Sequence, residues 1–367
     1  MAATAVDKIL IIAGHLEVRG SITYTFNLCK GLMARGCEPL VLCTGGPMLP
    51  AFQRAGIRVA DTDSLGKPVY DLFAFRRFLR SVAWERFKVV HIQHKSLLRK
   101  GLRAARALGV PSVLTVHHFF EPGERLRIPK KSVRGVIAVS QAVREDLVNN
   151  AKIPRELVRI VSTGVDLEAA GTCRKSRQKN EAPVIGTIGT LTPIKGNEHF
   201  LRAARALLDR GIEAYFVIAG RGEESGQLRK LAKELELTRN LTFVPDFSDN
   251  YEVLRALDVF VNPSLREGLG LTVLQAMACG VPTVCAASGG IHSFVIDGET
   301  GLMVPQRDPN SIATALVRLI EDREFSNKLA QNASKMVEQE YPLDKMIDEM
   351  LDLYGEVVRE WNEPAAV

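Results

Sequence analysis

No stretch of the 367 residues is apolar for long enough to cross a bilayer, so no transmembrane helix is expected. Residues 1–7 offer no basic region ahead of an apolar core, and the run 9–13 is too short for a signal-peptide core. The expectation is a cytoplasmic protein. The six cysteines (29, 37, 43, 173, 279 and 285) form no CxxC pair and stand at no metal-like spacing from histidine. They read as reduced structural thiols in apolar surroundings. His91, His94 and His118 fall near predicted strand ends, but not in an HExxH arrangement and without a fixed third ligand, so no metal is expected. There is no low-complexity tract and no short repeat. No RNP, KH or helix-turn-helix signal is present, so no nucleic-acid partner is expected.

The first half is also short of acid. Residues 1–165 carry 26 Lys and Arg against 12 Asp and Glu, while the remainder carries 22 against 30. Two readings are open: an anionic partner for the first half (membrane lipid, nucleic acid or a charged substrate), or a solvated basic surface. Three local concentrations stand out. Residues 72–84 are basic and aromatic, and suit either an anionic membrane surface or plain packing against a sheet. Arg99, Lys100, Arg103 and Arg106 share a predicted helix. Arg125, Arg127, Lys130, Lys131 and Arg134 follow the strand at 113–116.

What the chain has in abundance is an alternation of strands and helices. Lys8-Ile-Leu-Ile-Ile-Ala-Gly14 and Ala182-Pro-Val-Ile-Gly-Thr-Ile-Gly189 each read as a buried strand ending in Gly, followed by a helical pattern. Between them, strands are predicted at 39–43, 89–92, 113–116 and 135–139, with Ser140 capping a helix over 141–149. Beyond them come 215–219, 241–244, 259–261 and 282–285. Such alternation implies parallel sheets covered on both faces. Two openings of this kind imply two Rossmann-like, doubly wound domains, whose ligands sit at the carboxyl ends of the strands. The domains are expected at 1–170 and 171–340, with the polar segment 171–181 as linker. A C-terminal helix within 341–367 is expected to join the first domain.

Three segments carry candidate chemistry. In Pro263-Ser-Leu-Arg-Glu-Gly-Leu-Gly-Leu-Thr-Val-Leu-Gln-Ala-Met-Ala-Cys-Gly-Val-Pro282, an acid, Glu267, lies in a Gly-rich turn ahead of a helix starting near Leu271. Backbone N–H groups at such a start (Gly268, Leu269, Gly270, Leu271) attract an anion, and Gln275 lies one turn in. In Gly186-Thr-Ile-Gly-Thr-Leu-Thr-Pro-Ile-Lys-Gly196, Gly189 permits close approach and Lys195, beside Gly196, is a point charge suited to phosphate. Ser288-Gly-Gly-Ile291 is a further turn after a strand.

In this order, the segments resemble glycosyltransferase family 4, retaining enzymes of GT-B fold. The resemblance runs almost end to end. The family's Gly…Lys-Gly phosphate loop is similar to Gly189–Gly196, and its Pro-Ser-x-x-Glu…Ala-Met-Ala-x-Gly-x-Pro block to 263–282. Its Gly-Gly turn is similar to Gly289-Gly290, and its Asp-Gly…Gly-Leu-Val hairpin to 297–304. Thr115-Val-His117 and Val161-Ser-Thr-Gly-Val-Asp166 are looser matches. The resemblance implies α/β domains facing across a cleft and a sugar moved, with retention, from a nucleoside-diphosphate donor (UDP- or GDP-linked, a substrate and not a cofactor) to an unidentified acceptor. Lys195 would bind the diphosphate, Glu267 the transferred sugar and residue 275 the ribose, while His117 would line the sugar site from the other domain. Arg19, Gly20 and Ser21 match the acceptor-side loop, whose other reading is an ordinary polar turn. A lipid-linked or anionic acceptor, as in polysaccharide or glycolipid synthesis, would account for the basic first half. Fixed donors aimed at the departing diphosphate require no metal, and front-face retention needs no second carboxylate, unlike glycosidases.

This chain departs from the pattern at three positions: Thr190 where the family has Arg, Gln275 in place of the second Glu, and Ser293 in place of the Glu after the Gly-Gly-Ile turn. Each exchange removes charge from the site. They keep two alternatives open: a non-catalytic nucleotide-sugar-binding relative, and a sugar-nucleotide epimerase of the same architecture.

Overall fold

The computed structural model describes residues 6–17, 19–61, 71–121, 124, 126, 128–129, 132–173, 182–245, 247 and 249–363, except the side chains of 71–74. Their β-branched apolar runs form two sheets. The first holds β1 (Lys8–Gly14), β2 (Glu38–Cys43), β3 (Arg58–Asp61), β4 (Val89–Ile92), β5 (Ser112–Val116), β6 (Val133–Ala138) and β7 (Val158–Ile160). The second holds β8 (Val184–Ile188), β9 (Tyr215–Ala219), β10 (Leu241–Val244), β11 (Val259–Asn262), β12 (Thr283–Ala286) and β13 (Leu302–Val304). The sheet orders are β3-β2-β1-β4-β5-β6-β7 and β10-β9-β8-β11-β12-β13, with parallel pairing throughout, as in β1 with β4 and β8 with β11. These are two Rossmann-like domains. Strand order reverses between β1 and β4 in one and between β8 and β11 in the other. Beyond the carboxyl ends of strands at such a switch point lies the crevice where doubly wound sheets bind ligands.

The chain divides into two compact units, Met1–Gly164 with Leu343–Val367, and Val165–Pro342. The first junction therefore precedes the expected boundary at 170. Asp166 caps the short helix Leu167–Gly171 by accepting from Ala169 N at 3.0 Å. The Asp166 carbonyl accepts from the Tyr251 hydroxyl at 3.2 Å, and Val165 N donates to the Tyr341 carbonyl at 2.8 Å. These bonds tie residues 165–171 to the second unit. The return junction likewise falls after Pro342. Of the expected linker, residues 174–181 lie outside the described residues.

In the first unit one face of the sheet, including Ile9, Ile11, Val41, Val89, Val113 and Ile137, is buried under two helices, Gly20–Ala34 and the C-terminal Leu343–Asn362. The latter contributes Met346, Ile347, Met350 and Tyr354, repeating at helical spacing. A Cβ on Gly31 would lie 2.3 Å from Ile347 Cγ1, so the glycine lets the two helices approach. That offsets the roughly 1 kcal/mol that a mid-helix glycine costs. The Tyr354 hydroxyl sits 2.5 Å from His91 Nδ1, and Thr115 Oγ1 lies 2.7 Å from His91 Nε2. The fully buried His91 thereby joins β4, β5 and the C-terminal helix. Burial lowers its pKa to about 3, keeping it neutral. Its place is structural.

The second unit packs Phe200, Leu201, Ala204 and Leu207 of helix Asn197–Asp209 with sheet residues that include Phe216, Ile218, Val261 and Val284. Each of the Phe, Leu, Ile and Val side chains contributes about 1.5–3 kcal/mol of burial. Strand β13 pairs parallel with β12. It thus extends the sheet where a hairpin was expected, and only an isolated bridge, Asp297 to Gly301, precedes it.

Candidate active site

The site is built from the loops that follow β8 and β11, neighbours at the second switch point. Gly196 adopts φ +63°, and a Cβ there would lie 2.3 Å from the Pro263 carbonyl. Only glycine allows this approach without strain. Leu265 N donates to the Ile194 carbonyl at 2.8 Å, locking one loop to the other. Lys195 Nζ thereby reaches Glu267 Oε2 at 2.6 Å, an ion pair whose side chains are 25% and 12% exposed. The Ser264 hydroxyl donates to the same carboxylate oxygen at 3.2 Å, and Ser264 N is held by Asn262 Oδ1 at 3.0 Å.

A third loop joins them. Gly290 N donates to the Glu267 carbonyl at 2.9 Å, and a Cβ on Gly290 would lie 2.2 Å from the Gly268 carbonyl. Beyond Gly270, at φ +103°, helix Leu271–Ala278 begins with no side-chain cap and no acid in its first turn. Its N-terminal dipole is left to a ligand's negative charge. Leu269 and Leu271 are buried. Gly189 N donates to the Ala219 carbonyl at 2.9 Å, and Thr190, in the same loop, is exposed. The expected Lys195, Gly196, Glu267, Gly268 and Gly270 are thus assembled, and Ser264 joins them. The Asn-Pro-Ser strand end was the sequence signal for Ser264.

Gln275 is buried, and its surroundings were not foreseen. Its Oε1 accepts from Asn250 Nδ2 at 2.7 Å, and its side chain is also hydrogen-bonded to Tyr251. Burial raises the Tyr251 pKa, and its hydroxyl donates to the Asp166 carbonyl. Gln275 is therefore a tie between helix Leu271–Ala278 and the short helix Asn250–Leu254. A carboxylate could accept from Asn250 but could not donate to the tyrosine. Ser293 ends the 3-10 turn Gly289–Ser293 with its side chain exposed.

At the carboxyl ends of β8, β9 and β10 lies a recess of about 360 Å³, lined by Leu191, Gly220, Arg221, Gly222, Arg229 and Phe243 among others. That volume falls within the range of small-ligand sites. The Arg229 guanidinium stands 4.4 Å over the Phe243 ring. The repeated glycine in Gly220-Arg-Gly222 is the sequence signal for this turn.

In the first unit, Arg19 is the extended N-cap residue of helix Gly20–Ala34, which has no side-chain cap. Arg19 pairs with Glu17, Gly20 is exposed, and the Ser21 carbonyl accepts from Thr25 Oγ1 at 2.9 Å. His117, at the end of β5, is 8% exposed, with its Nε2 buried and without a hydrogen-bond partner. Its ring meets Tyr24 edge-on at 4.9 Å. Burial, then the neighbouring His118, His94 and His91, hold its pKa well below the ordinary value. It is a neutral group with an unused nitrogen. Among the described residues, no three His, Cys, Asp or Glu gather as a metal set.

The model for glycosyl transferases group 1 matches residues 172–336, and that for glycosyltransferase family 4 matches 18–169. The chain is 27% identical over 318 residues to UDP-Gal:alpha-D-GlcNAc-diphosphoundecaprenol alpha-1,3-galactosyltransferase of Escherichia coli, covering 80% of this chain and 81% of that one. It is 30% identical to D-inositol 3-phosphate glycosyltransferase of Salinispora arenicola, covering 74% and 69%. In fold it is similar to Anabaena Alr3699/HepE, solved in complex with UDP-glucose, with TM-score 0.82 and 20% identity over 95% of this chain and 99% of that one. The chain belongs to glycosyltransferase family 4, and is a glycosyltransferase built from the two Rossmann-like domains of the GT-B fold.

Proposed function

We propose that the protein is a cytoplasmic, metal-independent hexosyltransferase. It moves a sugar from a nucleoside-diphosphate donor, with retention, to an anionic or lipid-linked acceptor presented at a membrane surface. The observation that carries the proposal is the Lys195–Glu267 pair, held at 2.6 Å beside the uncapped start of helix Leu271–Ala278 at the switch point of the second sheet. Breaking the bond between sugar and phosphate builds negative charge on the departing diphosphate. Lys195 and the N–H groups at 268–271 stabilise that charge where it forms, and losing one such donor costs about 3–4 kcal/mol of barrier. Glu267, oriented by Lys195 and Ser264, accepts hydrogen bonds from the sugar hydroxyls. The recess at Arg221, Arg229 and Phe243 is wide enough for a nucleobase stacked near the guanidinium. His117, with a free nitrogen in a neutral ring, is the first unit's candidate for the sugar. Arg19, Gly20 and Ser21 are its candidates for the acceptor.

Two relatives support the acceptor class: the Escherichia coli enzyme is named for a diphosphoundecaprenol acceptor and the Salinispora enzyme for an inositol phosphate. The test is incubation with UDP- and GDP-hexoses in the absence of acceptor. Slow release of nucleoside diphosphate and free sugar is expected, abolished in Lys195→Met. Binding of donor with no hydrolysis, and no transfer to any lipid phosphate, would leave a non-catalytic binder. A donor isomerised at constant mass would mark an epimerase.

A further inference from the structure

The turn that carries Glu267 is supported by residues that the chemistry above does not use. Gly290, whose N–H meets the Glu267 carbonyl, belongs to the 3-10 turn Gly289–Ser293. Its two glycines leave the backbone more freedom than other residues would, so its position depends on what packs against it. Ile291 and the next residue, Phe294, are buried. A Cβ on Gly270 would lie 2.7 Å from Ile291 Cδ1 and 3.3 Å from Phe294 Cζ. These two side chains therefore press on the backbone where helix Leu271–Ala278 starts. The Phe294 carbonyl accepts from the Thr300 hydroxyl at 2.9 Å, and Phe294 N donates to the Ile291 carbonyl at 3.2 Å. The Phe294 ring also meets the half-buried Tyr341, edge to face, with centroids 5.9 Å apart. The Tyr341 hydroxyl donates to the Ser293 carbonyl at 3.4 Å. Burial, then the neighbouring Glu340, raises the Tyr341 pKa, so the hydroxyl keeps its proton and can donate at neutral pH.

Tyr341 is held independently of that turn. It is the C-cap residue of helix Arg323–Glu340, with its N–H on the Val337 carbonyl at 2.9 Å and its own carbonyl accepting from Val165 N at 2.8 Å. Helix Arg323–Glu340 packs along helix Leu271–Ala278, and its Ser334 hydroxyl donates to the Ala278 carbonyl at 3.5 Å. One frame thus joins the end of helix Leu271–Ala278 to the ring that braces its beginning. We infer that Tyr341 is a positioning residue for the transfer reaction. Through Phe294 and the Ser293 carbonyl it holds the 289–294 segment against Glu267 and Gly270, and so fixes the Glu267 carboxylate. This rests on the reading of Glu267 given above, and adds a residue that acts only through others.

The test uses the full chain. Tyr341→Leu removes the ring and the hydroxyl, Tyr341→Phe keeps the ring, and Phe294→Leu removes its partner. Hydrogen exchange read by mass spectrometry reports the segment without reference to activity. In Tyr341→Leu the amides of 289–294 should exchange about threefold to tenfold faster, the range set by an aromatic pair. Those of helix Asn197–Asp209 should keep the wild-type rate. For hydrolysis of a UDP- or GDP-hexose, kcat should fall by a similar factor while the affinity for UDP and GDP stays within about twofold, as for an interaction that serves the transition state. Tyr341→Phe should recover most of both losses. Phe294→Leu should reproduce them, which keeps the test open should Tyr341→Leu fold poorly, and the double variant Tyr341→Leu/Phe294→Leu should be no worse than either single one. Unchanged exchange at 289–294, equally faster exchange across the whole second unit, a loss of affinity matching the loss of kcat, or additive losses in the double variant would overturn the assignment. A wild-type protein that hydrolyses neither donor, with exchange at 289–294 still responding to Tyr341→Leu, would refute the transferase reading and leave the brace itself standing.

Discussion

The ion pair at the centre of the second unit makes a quantitative prediction. Lys195→Met keeps the aliphatic stem and removes the charge, leaving the Glu267 carboxylate with the Ser264 hydroxyl on the same oxygen but without the cation 2.6 Å away. Breaking a fully buried pair costs about 3–5 kcal/mol, and an exposed one about 0–1. With Lys195 25% and Glu267 12% exposed, solvent screens part of the loss, and about 2–3 kcal/mol of destabilisation is expected. Glu267→Gln leaves the ammonium closer to water and should cost less, about 1 kcal/mol. The double variant Lys195→Met/Glu267→Gln removes both charges and should be about 1–2 kcal/mol more stable than the sum of the single losses implies. Both tryptophans lie outside the second unit, so their fluorescence does not report its unfolding. Far-ultraviolet circular dichroism in urea, or calorimetry, gives the four free energies. In titrations, Lys195→Met should lose at least about tenfold in nucleoside-diphosphate affinity, as expected for a charge-assisted bond worth about 1.5–3 kcal/mol, with nucleoside binding unchanged. Additive stabilities would show that Lys195 does not hold Glu267, and an equal loss for nucleoside and diphosphate would show that it does not meet phosphate.

Gly290→Ala places a Cβ 2.2 Å from the Gly268 carbonyl and should push the Glu267 turn out of position. The expected cost is about 1–3 kcal/mol together with weaker donor binding; wild-type thermal stability and affinity would contradict that packing. Gln275→Glu sets a buried carboxylate beside Asn250 and a tyrosine hydroxyl already donating to Asp166. At neutral pH it should destabilise by about 1–3 kcal/mol or more and loosen UDP and GDP in isothermal titration, whereas tighter binding would mean the family's glutamate is tolerated. His91 binds its proton only near pH 3 when folded, but near 6.5 when unfolded. Stability is therefore retained above about pH 6.5 and lost as the pH falls toward 3, by about 2–3 kcal/mol between pH 7 and 4.5. His91→Gln should show a shallower pH dependence of unfolding in urea, and an unchanged slope would remove His91 as a cause.

The sequence was most informative where chemistry is local. A buried parallel strand is a continuous apolar run, so β1, β8 and β11 are legible from composition alone. Gly196, Gly270 and Gly289 mark positive φ, and Lys195 and Glu267 stand out as charged residues inside Gly-rich turns. Strands β3 and β7 were not read, because Arg58-Val-Ala-Asp61 and Val158-Arg-Ile160 are edge strands whose half-exposed residues break the apolar pattern.

What the sequence determined, then, is the alternation of strand and helix and the residue types at the loops, since both follow from neighbours within a turn or two. The tertiary structure alone decided which loops meet. The strand order β10-β9-β8-β11-β12-β13 brings Lys195 to Glu267, 72 positions along. It also decided that Gln275 is already engaged by Asn250 and Tyr251, and that His91, similar on paper to His117, is bonded at both nitrogens while His117 keeps one unused. Hydrogen-bond partners and burial belong to contacts distant in the chain. A sequence pattern of short range carries no term for them until the sheet is ordered.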